Sequence, residues 1–208
     1  MIKVLIADDH AIVRRGVREI LSEMTIPLEI FETDSVKSTV AALLQTPFEI
    51  LLLDISFPDG SGLDVLDRVQ AAKLTTRILF LSMYPEEQYA RRVLRGGAFG
   101  YLTKDSAPTE LTTAMEKVIQ GGRYVTLSLA ELLADELVSP SPKYSHEALS
   151  DREFQVMIAL ADGKSISQIA QELSLSPKTV STYRARILEK LRLNSTAEII
   201  RYAIDQGL

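Results

Sequence analysis

The chain has 208 residues, 46% of them hydrophobic, a formal charge of −5 and no cysteine. That length suits one large domain or two small ones, each with its own core, and the missing cysteines exclude disulfides, thiolate zinc sites and cysteine nucleophiles. No apolar run reaches the roughly 18 residues that span a bilayer, and Met1 to Ile6 meets Asp8 and Asp9 too soon for a signal sequence, so the sequence predicts a cytoplasmic protein with no membrane partner.

The first 125 residues alternate short apolar runs with longer stretches of helical spacing, the pattern of a parallel sheet covered by helices on both faces. Strands are expected near Lys3 to Ala7, Leu28 to Glu32, Glu49 to Leu53, Arg77 to Leu81 and Gly100 to Leu102. Between them, Val13, Val17, Ile20, Leu21 and Met24 recur at three and four residues, as do Val36, Val40, Leu43 and Leu44. Further helices are marked by Leu63, Leu66 and Val69, by Tyr89, Val93 and Leu94, and by Leu111, Met115, Val118 and Ile119. The result is an α/β domain over residues 1–125.

After Gly121-Gly122 the strand signal stops. A short helix from Leu129 to Val138 runs into Ser139-Pro140-Ser141-Pro142, which cannot continue it, so residues 126–146 read as a linker. Residues 147–208 read as a small all-α module of four helices. Ser150 with Glu153 has capping-box spacing, Gly163 follows the first helix, Ser176-Pro177 opens another, and Ser195 with Glu198 starts the last. Charge is split unevenly: residues 1–146 hold 15 Lys+Arg against 20 Asp+Glu, whereas residues 147–208 hold eight of each. Within the second part, Lys178, Arg184, Arg186, Lys190 and Arg192 face only Glu189 between residues 177 and 192, so one helix concentrates the positive charge.

In an open parallel sheet a ligand binds beyond the carboxyl ends of the strands. The first strand there ends in Asp8-Asp9, the third in Asp54 and the fourth in Ser82, and the fifth leads to Lys104. Converging carboxylates repel one another and suit a hard divalent cation, for which Mg²⁺ is the expected choice. A lysine and a hydroxyl suit a phosphoryl group. Each residue alone has a plainer reading, as a solvated turn or a packed aromatic, and a histidine metal site at His10 is not expected. Together, on different strand ends, they are specific.

These segments, Val4 to His10, Leu52-Leu53-Asp54 with Pro58 to Gly62, Leu81-Ser82-Met83 and Gly100 to Lys104, resemble a two-component receiver domain. The resemblance implies a doubly wound sheet of order 2-1-3-4-5, with Asp54 taking phosphate from the phosphohistidine of a sensor histidine kinase. It also implies Mg²⁺ held by Asp9, Asp54 and the Ser56 backbone carbonyl, with Asp8 acting mainly through water. Lys104 would neutralise the phosphoryl oxygens, Ser82 would donate to one of them, and Tyr101 would swing inward behind Ser82. Ser56 and Tyr84 sit where this family controls the hydrolytic water, and Phe57 stands where methionine is frequent.

In the second module, Ile166, Ile169, Ala170 and Leu173 form one apolar face. A Ser174-Leu175-Ser176 turn follows, and Val180, Tyr183, Ile187, Leu188 and Leu191 form the next, which is helix-turn-helix spacing. Lys178, Thr179, Ser181 and Thr182 lie off the packed face at the start of the second helix, the part such a motif sends into the major groove. Arg184, Arg186 and Lys190 would lie nearer the phosphates. Leu149 to Glu153, Ile169-Ala170, Leu173 to Val180 and Leu188 to Leu191 resemble the LuxR-type DNA-binding domain of the NarL/FixJ class. That class implies promoter DNA as partner and pairing of two protomers through the last helix; Ala197, Ile200 and Ile204 form a stripe that suits pairing but could equally close the domain core. Ser181 stands where lysine is frequent, and Ser174 where glycine is common.

The combined expectation is a phosphorylation-controlled transcription regulator that modifies only itself and is otherwise no enzyme. Phosphorylation could unmask the recognition helix or drive dimerisation, and both routes remain open. An aspartyl-phosphate phosphohydrolase shares the nucleophile, Mg²⁺ and lysine, but needs a second acid where this chain has Ser56. A flavin-binding domain needs a hydroxyl-rich phosphate loop where this chain has Asp8-Asp9.

Overall fold

The computed structural model describes residues 1–138 and 145–208, and the chain divides into two units, Met1–Ala130 and Glu131–Leu208. The first unit alternates strand and helix: β1 (Ile2–Ala7), α1 (Ala11–Ser22), β2 (Leu28–Thr33), α2 (Val36–Gln45), β3 (Ile50–Leu53), α3 (Gly62–Ala71), β4 (Arg77–Ser82), α4 (Glu86–Arg95), β5 (Gly100–Thr103) and α5 (Ala107–Ile119). The five strands form one parallel sheet in the order β2-β1-β3-β4-β5.

The apolar runs behave as a sheet buried on both faces requires. Val4, Ile6, Ile50, Leu52, Leu79, Leu81 and Leu102 pack with Val17 and Leu21 of α1 and with Leu111, Met115 and Val118 of α5. Residues of the other parity, including Leu5, Leu51, Leu53, Phe80 and Tyr101, are buried as well. Between β3 and α3, Ser56–Phe57 pairs antiparallel with Gly60–Ser61, folding that loop into a small hairpin. One expected core position differs: Leu44 is exposed, and α2 buries Val36, Thr39 and Leu43 instead. Leu44 follows Leu43 by one residue, about 100° around the helix, which carries it off the packed stripe.

Helix α6 (Leu127–Val138) crosses the division between the units. The expected Ser139 to Pro142 linker stretch lies outside the described residues. A 3₁₀ turn (Ser145–Ala148) then leads to α7 (Asp151–Ala161), α8 (Ile166–Glu172), α9 (Pro177–Leu191) and α10 (Thr196–Asp205). Ser150 and Glu153 form the anticipated capping box on α7, and Ser176 caps α9 with Pro177 at its first turn. At α10 the arrangement differs: Ser195 accepts from the Glu198 N–H, but the Glu198 carboxylate turns to the Asn194 N–H at 2.8 Å. Phe154, Met157, Ile158, Ile169, Val180, Ile187 and Ile199 are buried, with α7 against α9 and α10, and α8 against α9. Ser174, in the turn between α8 and α9, adopts the left-handed conformation with φ +53°. Among the described residues no helix is long and apolar enough to cross a membrane.

A candidate phosphoryl site and a candidate nucleic-acid interface

Strand order reverses between β1 and β3, and the residues just beyond their carboxyl ends form the site. The Asp54 N–H donates to the Ala7 carbonyl at 2.9 Å, extending the ladder and fixing the two acidic loops side by side. Lys104 arrives from β5, its N–H bound to the Ser82 carbonyl at 2.8 Å. Its ammonium lies 2.6 Å from Asp8 Oδ2 and 2.7 Å from Asp54 Oδ2, bridging two carboxylates that are almost fully buried. The remaining oxygens hold backbone donors, Asp8 Oδ1 from the His10 N–H at 2.8 Å and Asp54 Oδ1 from the Ile55 N–H at 2.6 Å.

Burial pushes the Asp54 carboxyl above the usual range; the Lys104 charge opposes this, the Asp8 charge adds to it, and the net shift is upward. For Lys104, burial favours the neutral amine, but Asp54 and Asp8 outweigh it and hold the group above the ordinary lysine value. The lysine therefore stays charged, and the Asp54 carboxylate is kept poorly solvated beside it.

Asp8, Asp9, His10 and Asp54 present ligand atoms all within 4.8 Å of one another. Asp9 Oδ1 is buried and makes no hydrogen bond, although His10 Nδ1 lies 2.8 Å away. A hard divalent cation would satisfy that oxygen, and the oxygen-rich donor set suits Mg²⁺. His10 is more than half exposed, and its ring leans on Asp8 and Asp9.

Around this centre, Ser82 is fully buried and its Oγ accepts from the Tyr84 N–H at 3.4 Å. The Tyr101 ring is buried, and its hydroxyl donates to the Tyr84 carbonyl at 2.7 Å. Burial pushes its phenol well above the ordinary tyrosine value, with the Ser82 hydrogen bond opposing. The structure thus holds the Tyr101 ring buried beside Ser82 and tied to the Tyr84 carbonyl. The Ser56 hydroxyl reaches the Tyr84 hydroxyl at 3.3 Å. Behind Asp54, a Cβ at Gly62 would lie 2.0 Å from the Asp54 carbonyl oxygen, so only glycine lets α3 start this close.

On α9, Lys178, Ser181, Thr182 and Arg186 are exposed and Thr179 is half-buried. The Ser181 and Thr182 hydroxyls donate back to the carbonyls of Pro177 and Lys178 at 2.9 and 3.0 Å, and the Thr179 hydroxyl lies 2.8 Å from that of Ser176. Arg184 donates to the Thr196 hydroxyl at 2.6 Å, joining α9 to the start of α10. Lys190 binds the buried Glu153 carboxylate at 2.6 Å and the Ala148 carbonyl at 3.2 Å. Burial acts to raise Glu153, but Lys190 and the Ser150 donors prevail and hold it below the usual glutamate value. On α10, Ile199 and Ala203 close the core, leaving Ile200 half-buried and Ala197 and Ile204 exposed.

Residues 4–116 match the response regulator receiver domain, and residues 147–203 match the bacterial regulatory proteins of the luxR family. The chain belongs to the response regulators. It is 33% identical to the response regulator UvrY of Escherichia coli (strain K12), covering 100% of this chain and 96% of that protein. Its fold matches RcsB from Salmonella enterica serovar Typhimurium bound to promoter rprA in the presence of phosphomimetic BeF3−, with a TM-score of 0.64 and 25% identity over 97% of this chain and 98% of that one. It also matches a structure of two RcsB dimers bound to two parallel DNAs, with a TM-score of 0.60 and 26% identity over 100% and 99% of the two chains.

This response regulator thus carries a receiver and a LuxR-type helix-turn-helix module. In the receiver, Asp8, Asp9, Asp54 and Lys104 meet directly, and Ser82 and Tyr101 join them through Lys104 and Tyr84. Two partnerships were beyond the sequence reading. Glu153 was visible as a capping residue, but its pairing with Lys190 spans 37 residues and leaves no local signal. Asp59, in the turn between Pro58 and Gly60, accepts through both carboxylate oxygens from the Val36 and Lys37 N–H groups at the start of α2.

Proposed function

We propose that this response regulator accepts a phosphoryl group on Asp54 from the phosphohistidine of a sensor histidine kinase in the cytoplasm, and that the modification controls promoter binding by α9. The reading is carried by one observation: a buried ammonium bridges Asp8 and Asp54 at the point where strand order reverses. A carboxylate oxygen of Asp54 attacks phosphorus and an O–P bond forms. The P–N bond to the kinase imidazole breaks, and the released nitrogen takes a proton from solvent. Asp8, Asp9, Asp54 and the Ser56 carbonyl would hold Mg²⁺, which when bound neutralises charge between carboxylates and phosphoryl oxygens.

Phosphorylation replaces one carboxylate charge with about two and adds acceptor oxygens. Lys104 pairs with the new charge, Ser82 turns its hydroxyl to a phosphoryl oxygen, and the Tyr84–Tyr101 pair responds to that turn. Such a switch biases two states of the α4–β5 face by their difference in contacts. The protein then acts on itself alone: with a hydroxyl at Ser56, no second acid stands ready for phosphohydrolase turnover.

At the DNA, Lys178, Thr179, Ser181 and Thr182 approach base edges, with Arg184, Arg186 and Lys190 nearer phosphates. Lys178 and Arg186, both exposed, contribute the freest charge, whereas Lys190 must share its ammonium with Glu153. Ala197, Ile200 and Ile204 pair two protomers, a reading supported by the exposure of Ala197 and Ile204 and by the RcsB dimers on DNA. The test is selection from random-sequence DNA, with and without acetyl phosphate and Mg²⁺. A sequence enriched by the treated wild type, and not by Asp54→Asn, is expected; identical profiles for the two proteins, treated and untreated, would overturn the regulatory link.

A further inference from the structure

The turn after the nucleophile carries a residue that the phosphoryl chemistry does not use. Pro58 and Asp59 form the tip of the hairpin in which Ser56 pairs with Ser61 and Phe57 with Gly60. The Asp59 carboxylate leaves this tip and accepts from two backbone N–H groups of α2, Val36 at 2.9 Å through Oδ1 and Lys37 at 3.0 Å through Oδ2. Helix N-terminal N–H groups lack partners within their own helix, and a carboxylate there is favoured by the helix dipole as well. Ser35 already serves the next donor, accepting from the Ser38 N–H at 3.2 Å. The fit is close: a Cβ on Gly60 would meet Val36 Cγ2 at 2.8 Å.

The same helix end also reaches the other acidic loop. Thr39, fully buried on α2, places its hydroxyl 2.7 Å from the Ser35 carbonyl and 2.8 Å from the Thr33 hydroxyl. Thr33 in turn accepts at its carbonyl from the Asp8 N–H at 3.1 Å. A continuous set of hydrogen bonds therefore joins the hairpin that follows Asp54, through the first turn of α2, to the backbone of Asp8. Neither Asp59 nor Thr39 touches the carboxylates themselves.

We propose that the N-terminus of α2 is a common anchor for the two acidic loops, with Asp59 and Thr39 as positioning residues that hold Asp8-Asp9 and the Asp54 to Ser56 segment at the spacing a divalent cation needs. The inference rests on the Mg²⁺-dependent phosphoryl reading above and adds its geometric cause. Hairpin hydrogen bonds alone fix the shape of the loop after Asp54; the Asp59 carboxylate fixes where that loop stands relative to Asp8. Removing it frees one loop against the other without removing any cation ligand.

The experiment uses the full chain and Mn²⁺ as a spectroscopic substitute for Mg²⁺. Mn²⁺ affinity is measured by electron paramagnetic resonance on wild type, Asp59→Ala, Asp59→Glu, Thr39→Val and the Asp59→Ala/Thr39→Val double variant, alongside thermal unfolding without metal. Direct partners of ligands change metal affinity by about 10–100-fold when removed, and these residues act one step further away, so Asp59→Ala and Thr39→Val should each weaken Mn²⁺ by about threefold to tenfold. Asp59→Glu, which keeps the carboxylate, should recover part of the loss. The double variant should fall short of the product of the single effects, because both residues act through one helix end. If the variants melt earlier yet bind Mn²⁺ as tightly as wild type, the residues are structural caps and the inference is overturned. Thr39→Val guards against an Asp59 variant that does not fold, since it is nearly isosteric. A wild type that binds no Mn²⁺ overturns the underlying phosphoryl reading instead, so the two failures are distinct.

Discussion

Lys104→Met preserves most of the aliphatic length of the side chain and removes only the bridging charge. In the native receiver the ammonium sits 2.6 and 2.7 Å from Asp8 and Asp54, and all three side chains are 7% exposed or less. Without it, two buried carboxylates face each other with no counter-charge. Removing one partner of a buried pair costs about 3–5 kcal/mol, and the lower end applies because Asp8 and Asp54 each keep a backbone donor. At about 1–3 kcal/mol per molar urea, a loss of about 3 kcal/mol lowers the receiver's unfolding midpoint by roughly 1–3 M.

The loss depends on pH with a fixed sign. Burial already raises the Asp54 pKa, and losing Lys104 removes the charge and hydrogen bond that opposed the rise. A carboxyl with a folded pKa above its unfolded value binds protons more tightly when folded, so its penalty is complete above the folded pKa and fades as pH falls through it. The deficit of Lys104→Met should therefore be largest near pH 8 and smaller near about pH 5. Adding Asp54→Asn removes one of the two repelling charges and should restore about half of it. Urea titrations followed by circular dichroism at both pH values supply the comparison. A deficit independent of pH and untouched by Asp54→Asn would refute the bridged-carboxylate picture.

Gly62→Ala should lower receiver stability by about 1–3 kcal/mol and suppress labelling by acetyl phosphate, because its methyl group collides with the Asp54 backbone; calorimetry and intact mass report the two effects. Ser174→Gly should stabilise the helix-turn-helix module by up to about 1 kcal/mol, since relief of the left-handed strain exceeds the entropy cost of glycine; a lower melting temperature would contradict it. Lys178→Ala should weaken a cognate DNA site by about tenfold, and Arg186→Gln should reduce the slope of log affinity against log salt by about 1; fluorescence anisotropy over a salt series measures both.

The sheet was legible because its strands are buried on both faces, which turns Val4 to Ala7 and Ile50 to Leu53 into uninterrupted apolar runs. Their ends were equally plain, since a charged residue directly after such a run must lie beyond the buried part of the strand, at its carboxyl end. Asp8, Asp54 and Lys104 could be placed together from that rule alone. Positions decided by angle rather than type were less visible: on α2 Leu44 is exposed although apolar, and Thr39 is buried although polar. Partnerships across the chain away from the strand ends were not legible. The carboxylates of Asp59 and Glu153 serve backbone or lysine groups chosen by packing, and neither the Pro/Gly turn nor the capping box around them names a distant partner. Ser174 is intermediate: it stands where glycine is common in the NarL/FixJ class, and the structure supplies the reason, a left-handed backbone.

The site's chemistry is tested most directly by the mass of the intact protein after incubation with acetyl phosphate and Mg²⁺, followed by peptide mapping under acid conditions that preserve acyl phosphates. Wild type should gain one phosphoryl group, located on Asp54, and Asp54→Asn should gain none. Equal labelling of the two proteins, or a phosphoryl group mapped to another residue of the wild type, would contradict the assignment.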